Sequence, residues 1–401
     1  MVPDIVEEET WMKIKSGALA LLASLMFAVT AQAATIKVGV IGAFSGPFSL
    51  YGTGWQQAFK IFMDQHGNKI EGHDIEFVIR DLPASDPQKA RALAQELVIR
   101  DKVQYLAGFV FTADAMAVAP IAEEAQIPTI VLNAASSPIL DQSQFMLRTS
   151  FTTYQVAVPI ANYAIDTGSK TAVTMVSDYV PGVEEEKGFA ETFKKRGGQV
   201  IESIRMPLST TDFGPFLQRA KAANPDTIFV FLPGGPSTYA YLKTYLDIGM
   251  RNTKIRFLGS GETQEFDLQS MGEAALGLET GFMYSGVHDS PVHKKYLADL
   301  QRLFPGAIAS LPHTEGYDAM SLIAAMIKAT GGKQDGEKAI AAVKGMSWEG
   351  LRGPLKVDPK TRDLIQNIYM RKVERDPASG LLINKEFKTY EMQPDYGREF
   401  R

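Results

Sequence analysis

The stretch VGVIGAFSGPFSLYGTGWQQAF, residues 38–59, contains an apolar run, a glycine-rich loop and a helical pattern, in that order. Val38–Ile41 predicts a buried strand, and Trp55, Ala58 and Phe59 recur at the spacing of one helix face. A strand, a loop and a helix in this order form the first unit of an α/β fold. In outline, the loop between them is similar to a phosphate-binding cradle.

The loop fails both tests for phosphate binding. Gly52 and Gly54 match the first two glycines of the dinucleotide pattern G-x-G-x-x-G, but Gln57 stands where the third is required. The P-loop pattern requires Gly-Lys-Ser/Thr at the helix start, and this loop has no lysine to reach the β- and γ-phosphates. The sequence therefore argues against a nucleotide site, and the glycines need another explanation.

Strand and helix patterns alternate along the chain in two successive series. The first series predicts strands at 36–41, 74–80, 105–108 and 129–132. The second begins after Arg148 and predicts strands at 171–177, 200–206, 227–232 and 255–258. Such alternation is typical of parallel sheets covered by helices on both faces. The tail after residue 270 combines helical patterns with strand-like segments at 355–357 and 365–373.

Composition excludes several classes of protein. The 401-residue chain has 45% apolar residues, which is ordinary for a folded protein, and its length favours two domains. The absence of cysteine excludes disulfides, thiolate metal sites and a cysteine nucleophile. The net charge is −5 and no long run of Lys and Arg occurs, so we predict no nucleic-acid partner.

The N-terminal segment has the three parts of a secretory signal peptide. Residues 12–17 (MKIKSG) are basic, residues 18–29 (ALALLASLMFAV) are apolar, and Ala31-Gln32-Ala33 fits a cleavage site. The apolar run is shorter than the roughly 20 residues of a membrane span. We expect residues 1–33 to be a signal peptide with Met12 as the true start. The mature protein is then periplasmic and has no N-terminal cysteine for a lipid anchor.

Signatures of catalysis are missing, since neither H-E-x-x-H nor G-x-S-x-G occurs. The five histidines have no metal-ligand spacing, and we interpret them as solvated loop residues. The run Glu184-Glu185-Glu186 is interpreted as a solvated first helical turn, where the helix dipole favours acidic side chains. We therefore predict a protein that is not an enzyme and that needs no metal and no cofactor.

Small and polar residues cluster where the predicted strands end, which is where ligands bind in open α/β sheets. In the first series these ends carry Tyr51, residues 109–112 and residues 133–137; in the second they carry residues 177–179, 233–235 and 260–262. Thr112 and Ser136 stand where helices or turns expose backbone N–H groups, which attract a carboxylate. The alternative is that both residues only cap helices or turns.

Together these motifs resemble the branched-chain amino-acid (Leu/Ile/Val) binding family of ABC importers, among the type I periplasmic solute-binding proteins. The resemblance covers nearly all of the chain after the signal peptide and rests on residues 36–54, 81–108, 133–136, 147–149, 316–319 and 353–355. It implies an α/β fold with two Rossmann-like lobes, parallel sheets and a three-crossover hinge. Lobe 1 would comprise residues 35–152 and 283–352, and lobe 2 residues 153–282 and 353–401.

The resemblance also implies where a ligand lies. Tyr51 would stand beside it, and the Thr112 hydroxyl with the backbone from Val110 to Thr112 would meet its carboxylate. The Ala134 backbone and Ser136 would complete this carboxylate site. In lobe 2, Glu262 would correspond to the acidic residue that meets a ligand ammonium. Tyr179, on the loop after the first strand of that lobe, would be a further ligand contact.

Two positions depart from the amino-acid binders of that family. Pro181 stands where a tyrosine of a Tyr-Gly pair is usual, and Phe111 stands where a small residue is usual. Such changes resemble relatives that take up aromatic or other organic acids. Phe111 would either stack on a ligand ring, contributing about 0.5–1.5 kcal/mol, or turn into the core.

The resemblance implies an extracytoplasmic substrate-binding protein of an ABC importer, and we expect it to be a monomer. It would capture an amino acid or a small organic carboxylate, and the closed form would deliver it to the membrane permease. Two alternatives stay open: a ligand-sensing partner of a regulator or receptor with the same fold, and an exported hydrolase.

Overall fold

The computed structural model describes residues 35–400. The predicted signal peptide at residues 1–33 lies outside the described residues and stays a prediction. Among the helices of residues 35–400, none combines the length and apolar character that a membrane crossing requires.

The first series of strands forms a five-stranded, all-parallel sheet in the order β2-β1-β3-β4-β5. Its strands are β1 (Ile36–Gly42), β2 (Ile75–Asp81), β3 (Tyr105–Gly108), β4 (Thr129–Val131) and β5 (Met146–Arg148). The helices between them are α1 (Ser49–Gln65), α2 (Pro87–Ile99) and α3 (Thr112–Glu124). Asp86 caps α2 by accepting a bond from the Lys89 N–H, with Pro87 at the first helical position.

The second series forms the parallel part of a nine-stranded sheet, in the order β7-β6-β8-β9-β10. These strands are β6 (Thr171–Ser177), β7 (Gln199–Met206), β8 (Thr227–Phe231), β9 (Arg256–Gly259) and β10 (Glu279–Phe282). The helices of this series are α4 (Thr153–Asp166), α5 (Val180–Lys195), α6 (Gly214–Ala223), α7 (Pro236–Asp247) and α8 (Glu265–Met271). The predicted α/β fold with two sheets is thereby confirmed.

The tail contributes to both halves. Helices α9 (Pro291–Leu303), α10 (Leu311–Thr330) and α11 (Gly336–Val343) return to the first half, where α10 packs along α1. Strands β11 (Ser347–Gly350), β12 (Gly353–Val357), β13 (Leu364–Arg375) and β14 (Leu382–Gln393) extend the second sheet in antiparallel fashion. The chain thus passes between the halves after β5, after β10 and after α11. The exact lobe boundaries stay a prediction.

The glycines of the opening stretch are explained by close packing. A Cβ on Gly52 would lie 2.4 Å from the Ala43 carbonyl oxygen, so this position accepts no side chain. A Cβ on Gly54 would lie 2.7 Å from Pro312 of α10, which crosses α1 at this point. Beside this crossing, the Trp55 indole donates a hydrogen bond of 2.9 Å to the buried Glu315 of α10. These glycines therefore serve helix and loop packing rather than phosphate binding.

Candidate functional site

A cavity of about 380 Å³ opens between loops at the carboxyl ends of the two sheets. The loop after β1 and the start of α1 line one wall with Pro47, Phe48, Leu50 and Tyr51. The loop after β8, with α7 and α8, lines the other with Gly234, Gly235, Pro236, Tyr239, Phe266 and Asp267. The volume falls in the range of about 300–1,000 Å³ that small-molecule sites occupy. Four of these ten residues are aromatic, which suits a ligand with a ring.

Tyr51 connects the two walls. Its ring is buried in the first half, yet a Cβ on Gly234 of the opposite wall would lie 3.8 Å from the Tyr51 hydroxyl. Burial raises the pKa of Tyr51, and the nearby carboxyls of Glu315 and Asp267 raise it further. The structure therefore places Tyr51 at the cavity as a neutral phenol, able to donate a hydrogen bond.

The loop after β3 brings Val110, Phe111 and Thr112 to the start of α3. The Phe111 ring is only partly buried and packs edge-on against Phe48 of the cavity wall, with ring centroids 5.0 Å apart. Thr112 is the first residue of α3, where backbone N–H groups lack partners inside the helix. The Asn133 side-chain amide donates a hydrogen bond of 2.8 Å to the Val110 carbonyl, which connects this loop to the loop after β4.

Ala134 and Ser136 already have partners within the protein. The Ala134 N–H donates to the Phe109 carbonyl at 3.0 Å. The Ser136 hydroxyl is fully buried and donates to the Glu184 carboxylate at 2.6 Å. A ligand carboxylate could use either group only after these bonds are exchanged. Their predicted carboxylate role stays a prediction, and in this structure Ser136 joins the two halves.

Tyr179 lies at the start of α5, on the loop after β6. Its ring stacks on Phe231, the last residue of β8, with a centroid distance of 6.0 Å and nearly parallel planes. Burial raises the pKa of Tyr179, and Tyr51, Glu185 and Glu262 raise it further. Tyr179 therefore has Tyr51 of the cavity wall and two buried glutamates, Glu185 and Glu262, as electrostatic neighbours.

Glu262 lies just after β9, at the carboxyl end of the second sheet. One carboxyl oxygen accepts a hydrogen bond of 3.1 Å from the Leu232 N–H, and the other has no partner among residues 35–400. Gly259 leaves room for that free oxygen, since a Cβ there would lie 2.1 Å from it. Burial raises the pKa of Glu262 to about 8, although backbone hydrogen bonds and Arg371 oppose the shift. At pH 7 this side chain is mainly a neutral acid.

The interpretation of Glu184, Glu185 and Glu186 as a solvated helical turn is wrong, because all three are buried. Glu184 accepts bonds from Ser136 and Thr153, both at 2.6 Å. Glu186 pairs with Arg205 at 2.7 Å. Neither carboxyl oxygen of Glu185 forms a hydrogen bond of ordinary length and angle among the described residues.

The sequence did contain a signal for the burial of Glu185. Residues 185, 189 and 193 follow the i, i+4, i+8 spacing of one helix face, and Phe189 and Phe193 are fully buried. A glutamate on the same face as two core phenylalanines points inward with them. The burial of Glu185 was missed because three consecutive acidic residues are typical of a solvent-exposed helical turn.

Two histidines also differ from the prediction of solvated loop residues. His293 and His313 are buried in α9 and α10, and the prediction is wrong for both. His293 bonds the Tyr284 hydroxyl at 2.9 Å, and His313 bonds the Gln57 side chain at 2.9 Å. Burial lowers the pKa of each to about 4, so both are neutral packing groups. Within the described range, no group of three or more metal-binding side chains converges.

We expect the ligand-free protein to lose stability as the pH rises from 6.5 to 8. The pKa of Glu262 in the folded state, about 8, exceeds its ordinary value of 4.5, so the folded state holds more protons in this window. The free energy of unfolding then falls by up to about 1.4 kcal/mol per pH unit for one such group. Glu185 acts in the same direction, whereas the two buried histidines act only below about pH 6.5.

Urea denaturation at pH 6.5, 7.25 and 8 measures this dependence, and Glu262→Gln is the matched variant. The amide does not titrate, so its curve should fall less steeply over the same window. Equal slopes for the two proteins would show that Glu262 is ionised in the folded state.

The chain is similar to known proteins in both sequence and structure. A family model described as "Periplasmic binding protein" matches residues 35–379. The Leu/Ile/Val-binding protein homolog 6 of Brucella abortus (strain 2308) is 46% identical over 384 residues, covering 94% of this chain and 98% of the relative.

Two solved structures from Rhodopseudomonas palustris, both solute-binding proteins of ABC transporters, have the same fold. The one from strain HaA2, in complex with p-hydroxybenzoic acid, is 47% identical with a TM-score of 0.87, covering 90% of this chain and 99% of that chain. The one from strain BisB5, in complex with 3,4-dihydroxybenzoic acid, is 40% identical with a TM-score of 0.85, covering 91% and 99%.

Proposed function

The chain belongs to the periplasmic binding protein family, and on that premise we propose that it captures a small aromatic carboxylate of the hydroxybenzoate class for an ABC importer. The ligand lies in the cavity between the two halves, and the closed form presents it to the permease. We further propose that the protein is exported by the signal peptide at residues 1–33, acts as a monomer and converts no substrate.

The observation that carries this proposal is the aromatic lining of a cavity of small-molecule size. Phe48, Tyr51, Tyr239 and Phe266 line it, and Phe111 packs on the first of these. Rings gain about 0.5–1.5 kcal/mol from each favourable stacking or edge contact beyond the area they bury. An aliphatic amino acid would gain only from the buried area. The start of α3 at Thr112 supplies backbone N–H groups and a helix dipole for the carboxylate.

A thermal-shift screen tests the ligand class. Benzoate, 4-hydroxybenzoate and 3,4-dihydroxybenzoate are compared with leucine, isoleucine and valine, each at the same concentration. A ligand at 100 times its Kd stabilises the folded state by about 2.7 kcal/mol and raises the melting temperature. We expect the hydroxylated benzoates to give the largest shifts. Shifts from the aliphatic amino acids alone would overturn the aromatic assignment.

The amino-acid alternative is retained because the Brucella relative carries a Leu/Ile/Val-binding name. The same screen decides between the two. Recovery of the bound ligand by chromatography after prolonged incubation tests whether it is unchanged, as a binding protein requires. A hydrolase would return products instead. N-terminal sequencing of the exported protein tests the signal peptide, because cleavage after Ala33 leaves a chain that begins at or near residue 34.

Thr112→Val is expected to weaken binding of the hydroxybenzoate about 10- to 100-fold. The substitution keeps the shape of the side chain but removes a hydroxyl that we assign to the ligand carboxylate, and such bonds to a charged group contribute about 1.5–3 kcal/mol. Calorimetry measures the change. Thr389→Val is the control, because Thr389 is exposed on β14. Equal affinities for Thr112→Val and the native protein would place the carboxylate elsewhere.

A further inference from the structure

Four buried polar atoms at the carboxyl end of the second sheet form no hydrogen bond of ordinary length and angle among residues 35–400. They are both carboxyl oxygens of Glu185, the hydroxyl of Ser260 and the second carboxyl oxygen of Glu262. Glu185 is fully buried, and Ser260 and Glu262 are nearly so. Buried polar groups in native proteins are almost always paired, so such a concentration at one place indicates groups held for a ligand.

The three side chains are close neighbours. Burial is the main cause that raises the pKa of Glu185, and the nearby Glu262 raises it further. A hydrogen-bonding contact with the Ser260 hydroxyl, outside ordinary hydrogen-bond geometry, lowers it. Tyr179 is influenced by both glutamates and by Tyr51, so it links this cluster to the cavity wall. Glu185 comes from α5, whereas Ser260 and Glu262 come from the end of β9. The cluster therefore lies at the carboxyl end of the second sheet, where Glu262 is bonded to Leu232, two residues before Gly234 of the cavity wall.

The charge of the cluster decides which ligand group it suits. Among the described residues, the acidic groups that act on Glu185 are Glu262 and Glu184, and no cation is among the causes of its pKa shift. Arg371 acts on Glu262, but its guanidinium is already bonded to Glu265, Thr280 and the Tyr284 carbonyl. Two buried carboxylates without a free counter-charge are strongly disfavoured, so the acids are neutral. Neutral carboxyls and a hydroxyl supply both donors and acceptors, which is what an uncharged hydroxyl group requires.

We propose that Glu185, together with Ser260 and Glu262, binds a ring hydroxyl of the ligand at the end opposite its carboxylate. This inference rests on the proposed function and deepens it, because it assigns selectivity for hydroxylated over unsubstituted benzoates to a residue of α5. A site built to bond a hydroxyl rejects the analogue that lacks it, since the buried polar groups then stay unpaired.

Calorimetry with 4-hydroxybenzoate and benzoate tests the proposal on the full-length mature protein. The native protein should bind 4-hydroxybenzoate at least about 10-fold more tightly than benzoate. Glu185→Met should reduce this ratio to about 1, because methionine fills the space without a donor or acceptor. Glu185→Gln should keep most of the ratio, because a neutral amide supplies both. Glu191→Met, at an exposed position of the same helix, should leave the ratio unchanged.

Proton release distinguishes a hydroxyl from an ammonium in this site. Titration in two buffers of different ionisation enthalpy should show no proton release on binding of 4-hydroxybenzoate near pH 7. A ligand ammonium would instead ionise the acids and release protons.

An unchanged ratio in Glu185→Met would overturn the assignment of Glu185. Amino-acid binding with proton release, abolished in Glu185→Gln, would overturn the hydroxyl assignment in favour of an ammonium. Binding of neither benzoate by the native protein would refute the proposed function itself, which is a separate outcome. Circular dichroism of each variant confirms that it is folded before its ratio is interpreted.

Discussion

Replacing Arg352 with methionine is expected to lower the free energy of unfolding by about 3–5 kcal/mol, as breaking a buried ion pair does in other proteins. The Arg352 guanidinium is fully buried and contacts the Asp318 carboxylate of α10 at 2.8 Å. It also donates to the Gln366 side chain of β13 and to the Thr149 carbonyl, both at 2.7 Å. The Arg352 side chain thus links α10 of the first half, β13 of the second half and Thr149, which lies where the chain crosses between the halves after β5.

The loss follows from what the substitution leaves behind. Methionine fills much of the same space, but among the described residues the Asp318 carboxyl then keeps only the Trp348 indole as a hydrogen-bond partner. Burial already raises the pKa of Asp318 to about 6, and Arg352 opposes that rise. Without the arginine, the carboxyl is either charged and unpaired or protonated at a cost in free energy. The Thr149 carbonyl and the Gln366 amide also lose a donor.

Urea denaturation followed by circular dichroism measures this change. Arg375→Met is the matched control, since the Arg375–Glu273 pair is about half exposed, at 51% and 64% for the two side chains. Exposed pairs contribute about 0–1 kcal/mol, so the control should change little. If Arg352→Met also costs less than about 1 kcal/mol, the passage between the halves does not depend on this ion pair.

Local patterns were sufficient to predict most of the framework. The apolar runs that became β1, β3, β6 and β8 are short and continuous, as strands buried on both faces require. Asp86 followed by Pro87 is a local helix-start signal, and α2 begins there in the structure. Strand β14 was not predicted, because after Asn384 its side chains are only partly buried or exposed and the strand is held by pairing with β13. That pairing is a long-range contact, which no local pattern encodes.

The site was less accessible to sequence reasoning. Tyr51 and Glu262 were predicted at strand ends as ligand contacts. The structure places Tyr51 in the cavity wall, whereas Glu262 is buried and bonded to the Leu232 N–H, and its contact with a ligand stays a prediction. Glu184–Glu186 was assigned to solvent on local charge alone, whereas the packing of α5 against α4 and the sheet buries it. Ser136 was expected to face a ligand, and its partner, Glu184, lies 48 residues away. The pairing of the Ser136 hydroxyl with the Glu184 carboxylate depends on how the two halves pack together, which the local sequence does not show.

The hydrogen bond between Ser136 and Glu184 joins the two halves. Glu184→Ala is therefore expected to lower the free energy of unfolding by about 3–5 kcal/mol. The Glu184 carboxylate of α5 accepts hydrogen bonds from the Ser136 and Thr153 hydroxyls, both at 2.6 Å, and from the Ser137 N–H at 3.4 Å. Alanine leaves the two hydroxyls buried without this acceptor, and each unsatisfied group costs about 1–3 kcal/mol. Glu184→Gln should cost less, because the amide oxygen still accepts one bond.

The same contact joins the loop after β4 in the first half to α5 in the second, so it also contributes to ligand affinity. Closure around a ligand is favoured by contacts made between the halves, and loss of this one should weaken hydroxybenzoate binding about 10-fold or more. Denaturation and calorimetry on Glu184→Ala, with Glu191→Ala on the exposed side of α5 as control, measure both effects. Reduced stability with native affinity would mean that the contact persists when the cleft opens, and that closure depends on residues nearer the cavity.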